Sequence, residues 1–209
     1  MRVGVDEAGK GPVLGSMFAA AVRADPGTLP EEVGDSKGIP AERRERLASA
    51  VREAADAVAV VEVSVERIDD PDTDMNGLTV DAHAEALAGV AAPGDDALVD
   101  AADTNAVRFE RRVGGRAPPD VRAEHGADEA HAIVGAASIL AKSAREAHVA
   151  DLAAEYGAVG SGYPSDPTTR EFLRSYVEDH GDLPACARAS WQTSRDALAA
   201  RDQASLEEF

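Results

Sequence analysis

The residues best suited to chemistry in this chain are two adjacent acids, Asp6 and Glu7, which follow a short apolar run. The run contains Val3 and Val5 and predicts a buried β-strand that ends at charged residues. An unpaired carboxylate is costly in apolar surroundings, so such a strand end needs a reason. Carboxylates are the hard oxygen ligands that Mg²⁺ and Mn²⁺ prefer, and the pair therefore predicts a divalent metal site.

A glycine-rich turn follows the two acids. Gly9 and Gly11 let the backbone approach a ligand closely, and Lys10 between them places a positive charge beside a potential phosphate. Successive side chains of a strand point to opposite faces, so Asp6 and Glu7 share a site only if the strand ends or turns there, as the glycines lead us to expect. The alternative is a β-hairpin with a charged, solvated turn.

Two further acids lie in settings that suit a metal ligand. Asp100 ends a second apolar run that begins at Ala97, as Asp6 ends the first. Asp103 competes with Asp100, but a ligand should project from a rigid strand, which favours Asp100. Asp128 precedes a long helical pattern and is either the N-cap of that helix or a further ligand.

The elements that would position these acids are strands in the first half of the chain and helices in the second. Further strands are predicted over residues 17–22, 58–65, 97–100 and 119–123. Helices are predicted over residues 40–55, 78–90, 104–112, 128–156 with one break, 168–179 and 191–201. This order predicts an α/β fold, with a mixed central sheet flanked by helices and a small helical C-terminal part.

The chain of 209 residues is 44% hydrophobic, which suits a folded protein with one large core. We expect a main domain over residues 1–156, a helical part over 157–202 packed on it, and a tail over 203–209. No apolar run is long enough to span a membrane, no secretory signal is present, and the single Cys186 favours a cytoplasmic protein. Zinc-type His and Cys spacing, a phosphate-binding P-loop and a serine-hydrolase elbow are all absent from the sequence.

The net charge of −18 is unusual for a protein that binds nucleic acid. Only three of the 21 basic residues are lysines, against 39 acids. Two explanations remain open. Either the protein does not touch nucleic acid, or it works in very high salt, where self-repulsion is screened and an acidic surface keeps it in solution. The clustering of acids in predicted loops favours the second, halophilic explanation.

The string Asp6–Pro12, Asp-Glu-Ala-Gly-Lys-Gly-Pro, resembles the signature of the type 2 ribonuclease H family. Three later strings resemble that family in the same order, namely His125–Asp128, Ala136–Lys142 and Gly160–Pro167. Gly126 departs from the family, in which basic residues are common at this position, and this weakens nucleic-acid contact but not metal ligation. The resemblance is to the archaeal type and implies an RNase H-like fold.

The resemblance also implies which residues act. The catalytic residues, which would hold two Mg²⁺ or Mn²⁺ ions, are Asp6, Glu7, Asp100 and Asp128. The residues that would contact substrate are Gly9, Lys10, Gly11, Lys37, Ser138, Lys142, Arg145 and Tyr163. The glycine-turn backbone would recognise the 2′-OH, the basic side chains would contact phosphates, and Tyr163 would stack on the sugar at the RNA–DNA junction. Without the resemblance, Tyr163 is explained by packing, and Ser138 and Lys142 by one turn of a helix face.

The implied activity is hydrolysis of the RNA strand of RNA/DNA hybrids and cleavage 5′ of ribonucleotides embedded in duplex DNA. The products would carry a 5′-phosphate and a 3′-OH, and the process would serve DNA replication and repair. One rival, type 3 ribonuclease H, would carry an N-terminal substrate-binding domain, for which a strand beginning at residue 3 leaves no room. The other rival is a non-catalytic nucleic-acid-binding module tethered to a sliding clamp, and four intact acids argue against it.

The C-terminal residues resemble a sliding-clamp-binding motif, with Gln203, Leu206 and Phe209 as its anchors. The alternative is a frayed acidic tail. We expect a monomer that has no membrane partner.

Overall fold

Five strands form a single sheet in the computed structural model, which describes residues 1–34, 38–117 and 120–207. The strands are β1 (Arg2–Ala8), β2 (Met17–Ala24), β3 (Ala57–Val63), β4 (Asp96–Asp100) and β5 (Val121–Glu124). Their order across the sheet is β3-β2-β1-β4-β5. β1 is antiparallel to β2 and parallel to β4, which in turn is parallel to β5, so the predicted mixed sheet is confirmed.

Helices connect and flank these strands. They are α1 (Ala41–Ala54), α2 (Val65–Asp69), α3 (Met75–Ala88), α4 (Ala106–Gly114), α5 (Ala127–Ala130), α6 (Ala132–Tyr156), α7 (Pro167–His180) and α8 (Gln192–Glu207). Two short 3₁₀ helices lie at Pro26–Thr28 and Glu31–Gly34. No helix in the described ranges combines the length and apolar character that a membrane span requires.

The described residues divide into two compact units. The first comprises Met1–Lys10, Met17–Glu62 and Asp74–Glu146, and the second comprises Gly11–Ser16, Val63–Thr73 and Ala147–Phe209. The first unit contains most of the sheet, and the second contains most of α6's C-terminal part together with α7 and α8.

Strand β2 shows how the first unit builds its core. Its side chains alternate between faces, and Ala20, Val22 and Ala24 join a buried cluster with residues of α1 and α6. On the other face Met17 lies against α3, where its sulfur is 3.7 Å from the Thr79 hydroxyl. The sheet is therefore covered by helices on both faces, which explains why almost every residue of β2 is apolar and buried.

Strand β1 and the start of α6 are in direct backbone contact. A Cβ added to Gly4 would lie 2.2 Å from the carbonyl oxygen of Ile133, far inside normal contact distance. Only glycine permits this approach. The contact fixes the first turns of α6 against the face of β1 to which Gly4 and Asp6 belong.

The second unit has a core of its own. Its buried cluster contains Val13, Leu14, Leu152, Val159, Leu173, Cys186 and Ala187. Arg188 is fully buried there, donates from Nε to the Gly15 carbonyl oxygen at 2.8 Å, and lies over the Trp191 ring at 4.8 Å. These partners account for a buried guanidinium without any ligand.

Candidate active site

Strand β1 continues further than the sequence pattern indicates. Glu7 and Ala8 pair with Ala19 and Phe18 of β2, so the strand ends at Ala8. The expectation that the strand ends or turns at Asp6 and Glu7 is therefore wrong, and the two side chains project to opposite faces of the sheet. Asp6 is 5% exposed, and its Oδ1 accepts a hydrogen bond from the Glu7 backbone N at 2.7 Å.

Asp100 lies beside Asp6 at the carboxyl ends of two parallel strands. Val5 of β1 pairs with Val99 of β4, and the two aspartates are the next residues along their strands. Asp100 Oδ1 accepts a hydrogen bond from the Ala127 backbone N at 2.8 Å, which joins β4 to the segment that carries Asp128.

Asp128 is not the N-cap of the following helix. Gly126 occupies that position with φ of 68°, and Asp128 lies buried in the first turn of α5. Its Oδ2 is 3.8 Å from Nζ of Lys142 on α6. The predicted break in the long helical pattern falls at His131, which is extended and separates α5 from α6.

The electrostatics show that these acids act on one another. The pKa of Asp6 is raised well above its ordinary value, first by burial and then by the negative charges of Glu7 and Asp100. The pKa of Asp100 is raised by burial and by the charges of Glu7 and Asp128, although its hydrogen bond from Ala127 opposes the shift. Buried clusters of side chains with the same charge are typical of functional sites.

The donor set fits a divalent cation chemically, because carboxylate oxygens that repel one another are stabilised by a positive ion between them. The described residues nevertheless contain no group of three His, Cys, Asp or Glu side chains close enough to surround one ion. The protein's own groups contact the acids instead: the Glu7 backbone on Asp6, His83 on Glu7, the Ala127 backbone on Asp100, and Lys142 near Asp128.

Asp103 has a different role from its neighbour Asp100. Its Oδ2 accepts from Arg108 Nε at 2.8 Å, its Oδ1 contacts Arg108 Nη2, and Oδ1 also accepts from the Asn105 backbone N at 3.1 Å. The Arg108 guanidinium lowers the pKa of Asp103 below its usual range. Asp103 is thus a structural ion-pair partner, whereas Asp100 belongs to the acid cluster.

Helix α6 brings three predicted substrate residues to the first unit. Ser138, which the resemblance predicts to contact substrate, is fully buried. Its hydroxyl makes no hydrogen bond of ordinary geometry with any described residue, yet it lies beside the Asp6 carboxyl and lowers its pKa. Lys142 keeps 29% of its side chain exposed, whereas Arg145 is buried.

The glycine turn is divided between the two units. In the first, Gly9 has φ of 88°, and Lys10 Nζ donates to the Ala102 carbonyl oxygen at 2.7 Å and to Asn76 Oδ1 at 3.1 Å. In the second, Gly11 lies near Tyr163, since a Cβ on Gly11 would be 3.8 Å from Cε1 of that ring. Tyr163 is 45% exposed, so its ring is not buried by packing.

The structure leaves out Lys37 and Phe209 and describes only the backbone of Leu206. Lys37 and Phe209 lie outside the described residues. Gln203 is exposed on α8, and the backbone of Leu206 belongs to the same helix.

His83 was not predicted from the sequence; it lies on α3 with Nε2 at 2.8 Å from Glu7 Oε2. The signal was a titratable side chain within an otherwise apolar stretch of α3, with Ala82, Ala84 and Leu87 around it. Zinc-type spacing, the criterion applied to the histidines of the sequence, does not detect a histidine whose partner is a carboxylate.

Known proteins resemble this chain along its whole length. The family model for ribonuclease HII matches residues 3–194. A ribonuclease HII of Haloarcula marismortui is 66% identical over 211 residues and covers 100% of both chains. Among solved structures, the ribonuclease H2 of Pyrococcus horikoshii superposes with a TM-score of 0.90 at 35% identity, covering 96% of this chain and 98% of that one.

A second solved structure, that of the PCNA:RNase HII complex from Archaeoglobus fulgidus, superposes with a TM-score of 0.87. It is 36% identical and covers 94% of this chain and 96% of that one. The predicted RNase H-like fold and the predicted type 2 membership are thereby confirmed. The chain belongs to the ribonuclease HII family of metal-dependent endoribonucleases.

Proposed function

We propose that this chain hydrolyses the RNA strand of RNA/DNA hybrids and also cuts 5′ of single ribonucleotides embedded in duplex DNA. The products carry a 5′-phosphate and a 3′-OH. The observation that carries the proposal is the placement of Asp6, Asp100 and Asp128 on neighbouring elements, where burial first, and then the charges of nearby acids, raise the pKa values of Asp6 and Asp100. Family membership supports ribonuclease activity on RNA/DNA, and the embedded-ribonucleotide activity and the chemistry below are our proposal.

The proposed chemistry is a two-metal mechanism. Two Mg²⁺ or Mn²⁺ ions would be held by Asp6, Glu7, Asp100 and Asp128. Such ions make a water more acidic and stabilise negative charge on a leaving oxygen. The protein's part would be to hold Asp6 and Asp100 at the rigid ends of β1 and β4 and Asp128 in the first turn of α5, with Glu7 next to Asp6 on β1.

The substrate contacts are proposed from side-chain placement. Lys142 has a partly exposed side chain whose ammonium lies near Asp128, and it would contact a phosphate of the cleaved strand. The Lys10 side chain is engaged with Ala102, so the backbone of the glycine turn, rather than this ammonium, would recognise the 2′-OH. Phosphate contacts of Arg145 and Lys37 are proposed from the sequence resemblance alone, because Arg145 is buried on α6 and Lys37 lies outside the described residues. Ser138, buried beside Asp6, would support the position of that carboxylate. Tyr163 would stack on the sugar at the junction, since its ring is exposed.

The C-terminal tail suggests one partner besides nucleic acid. Gln203, Leu206 and Phe209 would bind a sliding clamp, a proposal supported by the solved complex of PCNA with the Archaeoglobus relative. We propose that the enzyme itself is monomeric and acts inside the cell, where primers and embedded ribonucleotides arise.

The test uses a DNA duplex with one embedded ribonucleotide and a separate RNA/DNA hybrid, each with Mg²⁺ or Mn²⁺, from dilute to molar KCl. We expect a cut 5′ of the ribonucleotide that falls by about 10³-fold or more in Asp6→Asn. Asp103→Asn is the matched control and should keep cleavage, because Asp103 pairs with Arg108 and not with the acid cluster.

Circular dichroism establishes that each variant is folded. Absence of cleavage at every KCl concentration by the folded wild-type protein would contradict the proposal and favour a binding module. Equal losses in the two variants would mean that the acid cluster is not the active site.

A further inference from the structure

A buried histidine lies against one of the four acids. His83, on α3, has no exposed surface, and its Nε2 is 2.8 Å from Oε2 of Glu7. Its ring packs edge to face against Phe109, with ring centroids 5.1 Å apart and an interplanar angle of 86°. The two residues of the bond are 76 positions apart in the sequence, so the fold brings them together.

Core packing does not account for a histidine at this position. Its neighbours on the helix, Ala82 and Ala84, are buried and apolar, and Phe109 fills the adjacent space. Nδ1 of His83 is buried and has no hydrogen-bond partner among the described residues. An apolar side chain would fill this space without the cost of a buried unpaired nitrogen. Among the described residues, the bond to Glu7 is the favourable contact that needs a polar side chain at this position.

Glu7 needs such a partner because of where β1 places it. The strand continues to Ala8, so the Glu7 side chain leaves the sheet on the face opposite to Asp6, towards α3. Its negative charge nevertheless contributes to the raised pKa values of both Asp6 and Asp100. The His83–Glu7 pair is therefore within electrostatic reach of the cluster.

We propose that His83 is a positioning residue whose Nε2–H holds the Glu7 carboxylate at the acid cluster. A carboxylate only accepts hydrogen bonds, so the proton lies on Nε2. Carboxylates that ligate metal are commonly held by such hydrogen bonds, and loss of the partner typically weakens metal affinity or activity about 10- to 100-fold. The inference rests on the proposed function in taking Glu7 as a metal ligand.

The test measures binding of Mn²⁺ alone to the full chain by calorimetry in KCl. We expect His83→Phe, which keeps an aromatic ring but removes the donor, to weaken Mn²⁺ binding about 10- to 100-fold. His83→Gln, which keeps an N–H near the position of Nε2, should restore most of the affinity. In cleavage assays His83→Phe should lower kcat and leave KM unchanged, because substrate contacts are untouched.

Thr79→Val is the matched control. Thr79 is equally buried one turn earlier on α3, and its hydroxyl donates to the Met75 carbonyl oxygen at 2.6 Å within the helix. Thr79→Val should bind Mn²⁺ like the wild type. An equal loss in this variant would mean that disturbing α3 is sufficient, and the positioning role would be wrong.

A double-mutant cycle with Glu7→Gln separates the inference from the proposed function. If His83→Phe weakens Mn²⁺ binding in the wild type but not in Glu7→Gln, the residues act as a unit, even if the wild type cleaves no substrate. Additive losses, or Mn²⁺ binding by His83→Phe equal to or tighter than that of the wild type, would overturn the inference while leaving cleavage intact. Absence of Mn²⁺ binding by the wild type would overturn both. Should His83→Phe fail to fold, His83→Leu makes the same comparison.

Discussion

At the scale of single residues, two aspartates three positions apart have opposite environments. Asp100 is surrounded by other acids and has a raised pKa, whereas Asp103 is held by Arg108 and has a lowered one. Both residues are aspartates, so the difference in pKa comes from the partners that the fold provides. Asp6 and Asp100 carry the electrostatic cost of a site built to hold positive charge.

This cost predicts how stability depends on pH without metal. The pKa of Asp6 is raised above its ordinary value of 3.8, so the folded protein keeps a proton that the unfolded chain has lost. Stability should therefore decline as pH rises from about 4 through the raised value. Asp6→Asn removes that decline and should raise Tm at neutral pH by about 2 to 4 °C, the shift that ~1 kcal/mol produces at this chain length. Thermal unfolding in EDTA across this pH range measures the difference.

Asp103→Asn provides the control of opposite sign. A lowered pKa contributes stability above the ordinary value of 3.8 and loses it as pH falls through the folded-state value. This variant should therefore be less stable than the wild type at neutral pH and approach it in acid. If Asp6→Asn also lowers Tm at neutral pH in EDTA, the charge of Asp6 does not destabilise the folded protein.

At the scale of elements, local patterns predicted most strands and helices and failed where distant pairing decides. β1 gains its last two residues because Glu7 and Ala8 pair with β2, which no local pattern shows. Helix α2 was missed because Val65 continues a β-branched run, and only the Ser64 cap reveals the helix start. Local settings drew attention to Asp6, Asp100 and Asp128, whose role as metal ligands stays a prediction, but they placed the end of β1 and the start of α5 at the wrong residues. His83 could not be paired with Glu7, because their bond depends on the packing of α3 on the sheet.

The contact between β1 and α6 predicts a sensitive glycine. Gly4→Ala would place a Cβ at 2.2 Å from the Ile133 carbonyl oxygen, and backbone atoms on both sides must move to relieve the clash. We expect a loss of about 1–3 kcal/mol in the free energy of unfolding, the usual cost of overpacking a core. Urea denaturation measures it. Because the same helix carries Ser138 and Lys142, cleavage should fall as well.

Gly114→Ala is the matched control for this substitution. Gly114 ends α4, and a Cβ there would lie 3.6 Å from Val121, an ordinary contact. Alanine should be neutral or stabilise by about 0.4–1 kcal/mol, since it restricts the unfolded chain. Equal losses at the two positions would show that glycine replacement in general, and not the contact with α6, is responsible.

At the scale of the whole molecule, the charge balance remains the feature that sets this chain apart from a usual nucleic-acid enzyme. A net charge of −18 on 209 residues opposes both compact folding and the approach of a polyanion. The 66% identical relative comes from Haloarcula marismortui, which accords with the expectation of a high-salt protein. Many exposed acids have basic partners, such as Glu171 and Glu178 with Arg174, but 21 basic residues cannot pair 39 acids.

Unpaired surface charge predicts that stability increases with salt. The screening length falls from about 10 Å at 0.1 M to about 3 Å at 1 M, so most repulsion between acids is removed over this range. We expect Tm to rise by about 5 °C or more between these KCl concentrations and then to level off, because little repulsion remains to be screened. Sucrose stabilises by exclusion from the surface and not by screening, so it should lack the plateau. If Tm stays flat or falls in KCl, or if the Tm curves in KCl and sucrose are equal, screening of the surface acids does not stabilise the protein.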